Sequence, residues 1–136
     1  MELSQIGFLV LRVVLGLTML GHGTMKLFGW FGGYGIKGTG GWLESIGLKP
    51  GVLMAVLAGL CESASGLGLA AGFLTPLSAA VMILVMLVAI VTVDGKNGYW
   101  ITAKGAEYNV LIIAVALAFA LAGPGPVSVD ALLFPR

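Results

Sequence analysis

The sequence predicts an all-α fold: an integral membrane four-helix bundle with almost no mass outside the bilayer. Composition is the first ground. Of the 136 residues, 59% are hydrophobic and only 10% are charged, whereas a soluble domain is roughly 45–50% apolar and about 25% charged. Too few charges remain to coat a water-soluble surface, so lipid must cover much of it. The second ground is segment length. Crossing a hydrocarbon core of about 30 Å takes roughly 20 apolar residues in a helix, and four segments approach this: 6–28, 51–72, 75–93 and 105–122. The third is the backbone itself, which in open spans within acyl chains satisfies its N–H and C=O groups only as helices.

Span one follows Met1-Glu2-Leu3-Ser4-Gln5, which has no basic n-region, and it is too long for the apolar core of a signal peptide. It reads as a retained span. The second connection, Phe73-Leu74-Thr75-Pro76, is minimal and runs from span two into the start of span three. Gly72 suits the end of one helix and Pro76 the first turn of the next, which makes these spans an antiparallel hairpin. Span four is short and is expected to recruit Lys104 to Ala106 as its first turn. No internal repeat is visible, and the chain reads as one domain over residues 1–136.

The first connection is different in kind. It is a Gly/aromatic-rich interfacial loop in which Trp30, Phe31, Tyr34 and Trp42 stand among glycines. Aromatic rings with polar edges favour the headgroup zone, and Trp42-Leu43-Glu44-Ser45-Ile46 suits a short interfacial helix. Gly33-x-Gly35-x-x-Gly38 matches a dinucleotide fingerprint, but that motif requires a preceding strand and a βαβ unit. Neither is compatible with this loop.

Charge narrows the function classes. The net charge of +1 argues against nucleic acid, which is bound through many clustered Lys and Arg. One cysteine, Cys61, excludes an internal disulfide, a CxxC pair and a four-cysteine metal site from one chain. Lipidation motifs are absent, and no metal site is expected. Connections one and three carry Lys37, Lys49 and Lys96, with Lys26 and Lys104 at the adjacent helix ends. The other side has Arg12 and Arg136. Counting basic residues in short loops then places connections one and three in the cytoplasm and both termini outside.

The ionisable residues within the spans carry the functional question, because each costs about 2.5–3.5 kcal/mol on insertion scales. Arg12, Gly16, Met19, Gly23 and Lys26 recur at three- and four-residue steps and share one helix face. His22 borders that face one turn before Lys26. In span two, Gly59, Ser63, Gly66 and Ala70 form a small-residue seam that permits close helix approach, and Glu62 flanks it near mid-span. Glu107 opens span four, and Ser128 suits an N-cap for a tail helix with Asp130 in its first turn. Two readings stand side by side. In one, these groups form structural ion pairs, Arg12 with Asp130 or Glu62 and Lys26 with Glu107 or Asp94. In the other, Arg12, His22, Lys26, Glu62 and Glu107 line a polar cavity for a redox or protonatable ligand.

Taken together, Leu11-Arg12, Gly16 and His22-Gly23-x-x-Lys26-Leu27 resemble the first helix of the DoxX family of small prokaryotic membrane proteins. Glu62 with Gly66 and Gly72, and Gly105-x-Glu107, resemble that family's second and fourth helices. The ending Gly123-Pro124-Gly125-x-x-Ser128-x-Asp130 is similar to its closing motif, with Val129 where the family has leucine. The resemblance covers essentially the whole chain. It implies location in a prokaryotic cell (inner) membrane. It also implies association with quinol oxidase, thiosulfate–quinone or oxidative-stress systems, and it directs interest to Arg12, His22, Lys26, Glu62, Glu107 and Asp130.

Three functions follow as expectations. The first is an accessory membrane subunit of a redox system that engages quinone, with His22, Lys26 and the two glutamates supplying hydrogen bonds and protons. One histidine cannot give two axial haem ligands, and one cysteine cannot hold an iron–sulfur cluster. No covalently bound cofactor is therefore expected, and electrons come from a soluble or membrane partner or from the quinone itself. This makes the chain an oxidoreductase-associated subunit rather than an autonomous enzyme. The second is a small-solute or proton carrier that uses Glu62 as its titrating group, which four helices without inverted halves supply only as a homo-oligomer. The third is a scaffold that anchors soluble enzymes.

Overall fold

A computed structural model describes residues 1–135, all helical where regular, with no strand among them. The helices are α1 (Leu3–Phe28), α2 (Gly35–Ser45), α3 (Gly51–Ala71), α4 (Thr75–Ala89), α5 (Glu107–Ala122) and α6 (Val129–Leu133). α4 runs on through a π turn and a 3-10 turn, so its helical course extends from Thr75 to Asn97. By length and apolar composition, α1, α3 and the extended α4 can each cross a membrane. α5 is apolar but has 16 residues, about 24 Å at 1.5 Å per residue. Arg136, one of the two basic residues assigned to the terminal side, lies outside the described residues.

Six helices thus stand where the sequence showed four spans, because two of them are short rim elements without the length of a span. α2 is the larger departure. A short helix was expected at Trp42–Ile46, but helix begins in the glycine-rich stretch at Gly35. Glycine costs about 1 kcal/mol per helical position, and packing offsets that cost here. A Cβ at Gly40 would lie 2.9 Å from the Val52 backbone, and one at Gly51 would collide with the Gly40 carbonyl. The two backbones touch, and α2 is held against the start of α3.

The strongest packing is between α1 and α3. A Cβ on Gly16 would sit 2.6 Å from the Gly66 carbonyl oxygen, and one on Gly23 would sit 2.6 Å from Ser63 N and 2.7 Å from the Gly59 carbonyl oxygen. Gly16 and Gly23 therefore meet Gly66 and Gly59, with residue numbers running in opposite senses, so the helices are antiparallel. The small-residue seam and the polar face read from the sequence are one interface. On this face of α1, Arg12, Gly16, Met19 and Gly23 are all buried. Beside it, Met19, Leu69, Met82, Met86 and Phe119 form the apolar core.

The α3–α4 hairpin forms as the sequence predicts. Gly72 caps α3 in the left-handed region (φ 68°), and Pro76 sits in the first turn of α4. The start of α5 differs from expectation. Lys104 adopts φ 59° and cannot belong to a right-handed first turn, so helix begins at Glu107. Ala106 N and Glu107 N donate instead to the carbonyls of Gly98 (3.0 Å) and Tyr99 (2.7 Å). The connection itself satisfies the helix end that Lys104 to Ala106 were expected to build.

Candidate functional site

Polar side chains gather at two levels of the bundle. At the end holding the α3–α4 turn, the C-terminal segment folds back across the helices. Gly123 and Gly125 take positive φ (85° and 81°), which turns the chain at Gly123-Pro124-Gly125. Ser128 then caps α6, accepting from Ala131 N at 3.1 Å. Asp130 is 8% exposed. It accepts from Leu74 N (2.7 Å), Thr75 N (2.9 Å) and Thr75 Oγ1 (2.8 Å), while its own N–H donates to the Gly72 carbonyl at 2.9 Å. Leu74 sits at φ 44°, a conformation that costs a non-glycine residue roughly 1–2 kcal/mol. The carboxylate bond to its N–H helps hold it there while capping the positive end of α4.

Arg12 clamps this segment from the other side. Arg12 is 3% exposed, and its guanidinium donates to the carbonyls of Pro124 and Val127, the latter at 2.8 Å. A Cβ on Gly72 would lie 3.0 Å from Arg12 Cζ, so the glycine supplies both the turn and the space for the arginine.

Desolvation pushes the Asp130 carboxyl up. The Thr75 and Leu74 hydrogen bonds and the charge of Arg12 outweigh it, leaving the group below its ordinary value. A carboxyl lowered on folding stabilises the fold above its unfolded pKa, and that stability is lost as pH falls through the lower folded value. Thermal unfolding in detergent is therefore expected to fall on acidification from about pH 5 downward, and an Asp130→Asn variant should give a flatter profile. Equal slopes for the two proteins would show that Asp130 does not link protons to folding.

Deeper in the bundle, Lys26 Nζ donates to both oxygens of Glu62, at 3.1 and 2.9 Å. The Glu62 side chain is 7% exposed and that of Lys26 is 29% exposed. Lysine reaches the carboxylate because the α1–α3 glycine contacts bring the two backbones together one turn away. The ammonium has three protons. Two are used, and the third has no acceptor among the described residues.

Of the five residues grouped from the sequence, the structure joins Lys26 and Glu62. Arg12 lies 14 positions before Lys26, about 21 Å along α1, in the C-terminal clamp with Pro124, Ser128 and Asp130. Glu107 accepts from Ile101 N at 3.1 Å, which ties it to the connection before α5. His22 is exposed one turn before Lys26. The structural pairings come out differently from both options for Lys26: its partner is Glu62, not Glu107 or Asp94. Arg12 does lie close enough to Asp130 for its charge to be felt. Two polar residues with roles here were not singled out by the sequence: Thr75, whose hydroxyl bonds Asp130, and Asn109, buried in α5. An amide inside an otherwise apolar span was the signal for Asn109.

The family model described as DoxX matches residues 7–95, from α1 to the end of α4. The chain belongs to the DoxX family. A Bacillus subtilis (strain 168) protein named "Putative oxidoreductase CatD" is 29% identical to this DoxX chain over 130 residues, 96% of it and 89% of the relative. No solved structure gives a significant match. Family and apolar helices together establish a DoxX-type membrane protein.

Proposed function

We propose that this DoxX chain is the membrane subunit of a redox system and that it presents Lys26 and Glu62 to a quinone within the bilayer. The observation that carries this reading is the Lys26–Glu62 pair itself. It lies inside an apolar bundle, yet Lys26 is partly open and keeps one N–H unused. A quinone offers ring carbonyl acceptors on a lipid-soluble body, and a lysine donor at this depth complements them. Exposed His22, on the same side of α1 one turn away, adds a second polar group near the pair. The oxidoreductase name of the Bacillus subtilis relative supports the same class of chemistry. Electrons come from a partner protein, and the chain contributes binding and proton exchange.

Purification in mild detergent, followed by solvent extraction and chromatography of the quinone, tests this. The wild type is expected to retain quinone, and Glu62→Gln or Lys26→Met to lose most of it. A double Lys26→Met, Glu62→Met variant discriminates further. Replacing both partners of a buried pair by apolar residues is often neutral for stability, so a folded double variant should still lack quinone. Wild-type protein that carries none would sink the reading and leave the pair as packing.

A further inference from the structure

The layer that holds Lys26 and Glu62 contains another polar side chain, and packing leaves it almost without a partner. Asn109 stands two residues into α5 and is 8% exposed. Its hydrogen bond among the described residues runs from Nδ2 to Met86 Sδ at 3.7 Å, and a thioether is a weak acceptor. Buried amides ordinarily find full partners, since leaving them unpaired is unfavourable. Within spans they commonly bond across helices.

Register places Asn109 at the level of the ion pair. A Cβ on Gly68 would touch Ser78, which aligns these positions of α3 and α4. From there Glu62 lies about 9 Å along α3 and Met86 about 12 Å along α4 in the same direction. Asn109 is bonded to that Met86. Glu62 also shares a helix face with Leu69, which joins Met86 in the apolar core. By this count Glu62, with Lys26 bonded to it, and Asn109 stand at about the same height in the bundle, just past the apolar core. α1 packs mainly on α3 and α5 mainly on α4, so α1 and α5 flank this layer without close backbone packing.

We propose that Asn109 is a ligand-binding residue of this layer, and that a quinone ring is held between its amide and the free N–H of Lys26. The inference rests on the quinone reading of the Lys26–Glu62 pair. Lysine only donates, which suits a ring carbonyl. An amide both donates and accepts, so Asn109 bonds the carbonyl of the oxidised ring and the hydroxyl of the reduced one. It does so without bringing a further charge into the bilayer.

The test is titration of detergent-purified protein with a short-tailed benzoquinone, read by equilibrium dialysis and by the infrared carbonyl stretch of the bound ring. Asn109→Leu keeps the volume and removes the amide. Asn109→Ala serves as a second variant, each compared with wild type by size exclusion. The expected result is affinity weakened by about tenfold, the loss of one good hydrogen bond, with the carbonyl stretch moved toward its free position. Unchanged affinity and stretch in both variants, beside loss of binding in Glu62→Gln, would overturn the role of Asn109 while the quinone reading stands. A wild type that binds no benzoquinone overturns both.

Discussion

Replacing Arg12 with leucine is expected to release the C-terminal segment and to destabilise the bundle by about 3–5 kcal/mol. The magnitude follows from the bonds removed. Arg12 donates to the carbonyls of Pro124 and Val127, and hydrogen bonds to a buried charged group contribute roughly 1.5–3 kcal/mol each. The two carbonyls are left without these donors, and Asp130 loses a neighbouring positive charge. Arg12→Lys should fall between, because a single ammonium cannot match the forked reach of guanidinium to two acceptors. Limited proteolysis checks the structural half: new cleavage is expected between residues 123 and 134 in the leucine variant. A protected tail with an unchanged unfolding midpoint would mean that Asp130 and Ser128 hold the segment unaided.

The second large effect is expected at the α1–α3 contact. Gly23→Val places a side chain where Ser63 N is 2.6 Å and the Gly59 carbonyl 2.7 Å away. These are backbone atoms of a helix and cannot swing aside, so the helices must separate. Overpacking costs typically 1–3 kcal/mol and sometimes more. Within lipid the lost contact is not repaid, since acyl chains are as apolar as the side chain introduced. Gly66→Val, facing Leu20 N at 2.5 Å, should behave alike. Gly7→Val and Gly21→Val are the controls, because a Cβ at either meets nothing within 4 Å. The yield of monodisperse protein in mild detergent measures the difference: a steep fall for the seam variants and little change for the controls. Equal yields would show that α1 and α3 can slide apart without cost. Separation should also pull Lys26 from Glu62, so the seam variants that survive are expected to retain less quinone than the controls.

These two regions show how far residue spacing carries. Gly16, Gly23, Gly59 and Gly66 were legible as faces on two separate helices, since a 3.6-residue period is a local property. That the two faces are one interface required the helices to be seen together. Asp130 was legible as a residue in the first turn of a tail helix. Its main work, capping α4 at Leu74 and Thr75, joins positions 55 and 56 residues apart, which no local pattern reports. Lys26 posed the same difficulty. Glu107 and Asp94 looked like partners because all lie toward one membrane side, whereas the close approach of α1 and α3 brought Glu62 within reach. Asn109 stands alone in an apolar run, and a single amide there has no periodic pattern to say which way it faces.

The sequence alone determined the solvent and the secondary structure of this protein. Scarce charge and long apolar runs leave helices in lipid as the available state, and glycine and proline mark the α3–α4 turn. Tertiary structure decided which charge meets which, where the tail is anchored, and that the helix of the glycine-rich loop starts as early as Gly35. The reason is physical. Backbone satisfaction in lipid acts within each segment, while an ion pair or a backbone-to-backbone contact depends on the register between helices, and packing sets that register to within a single turn.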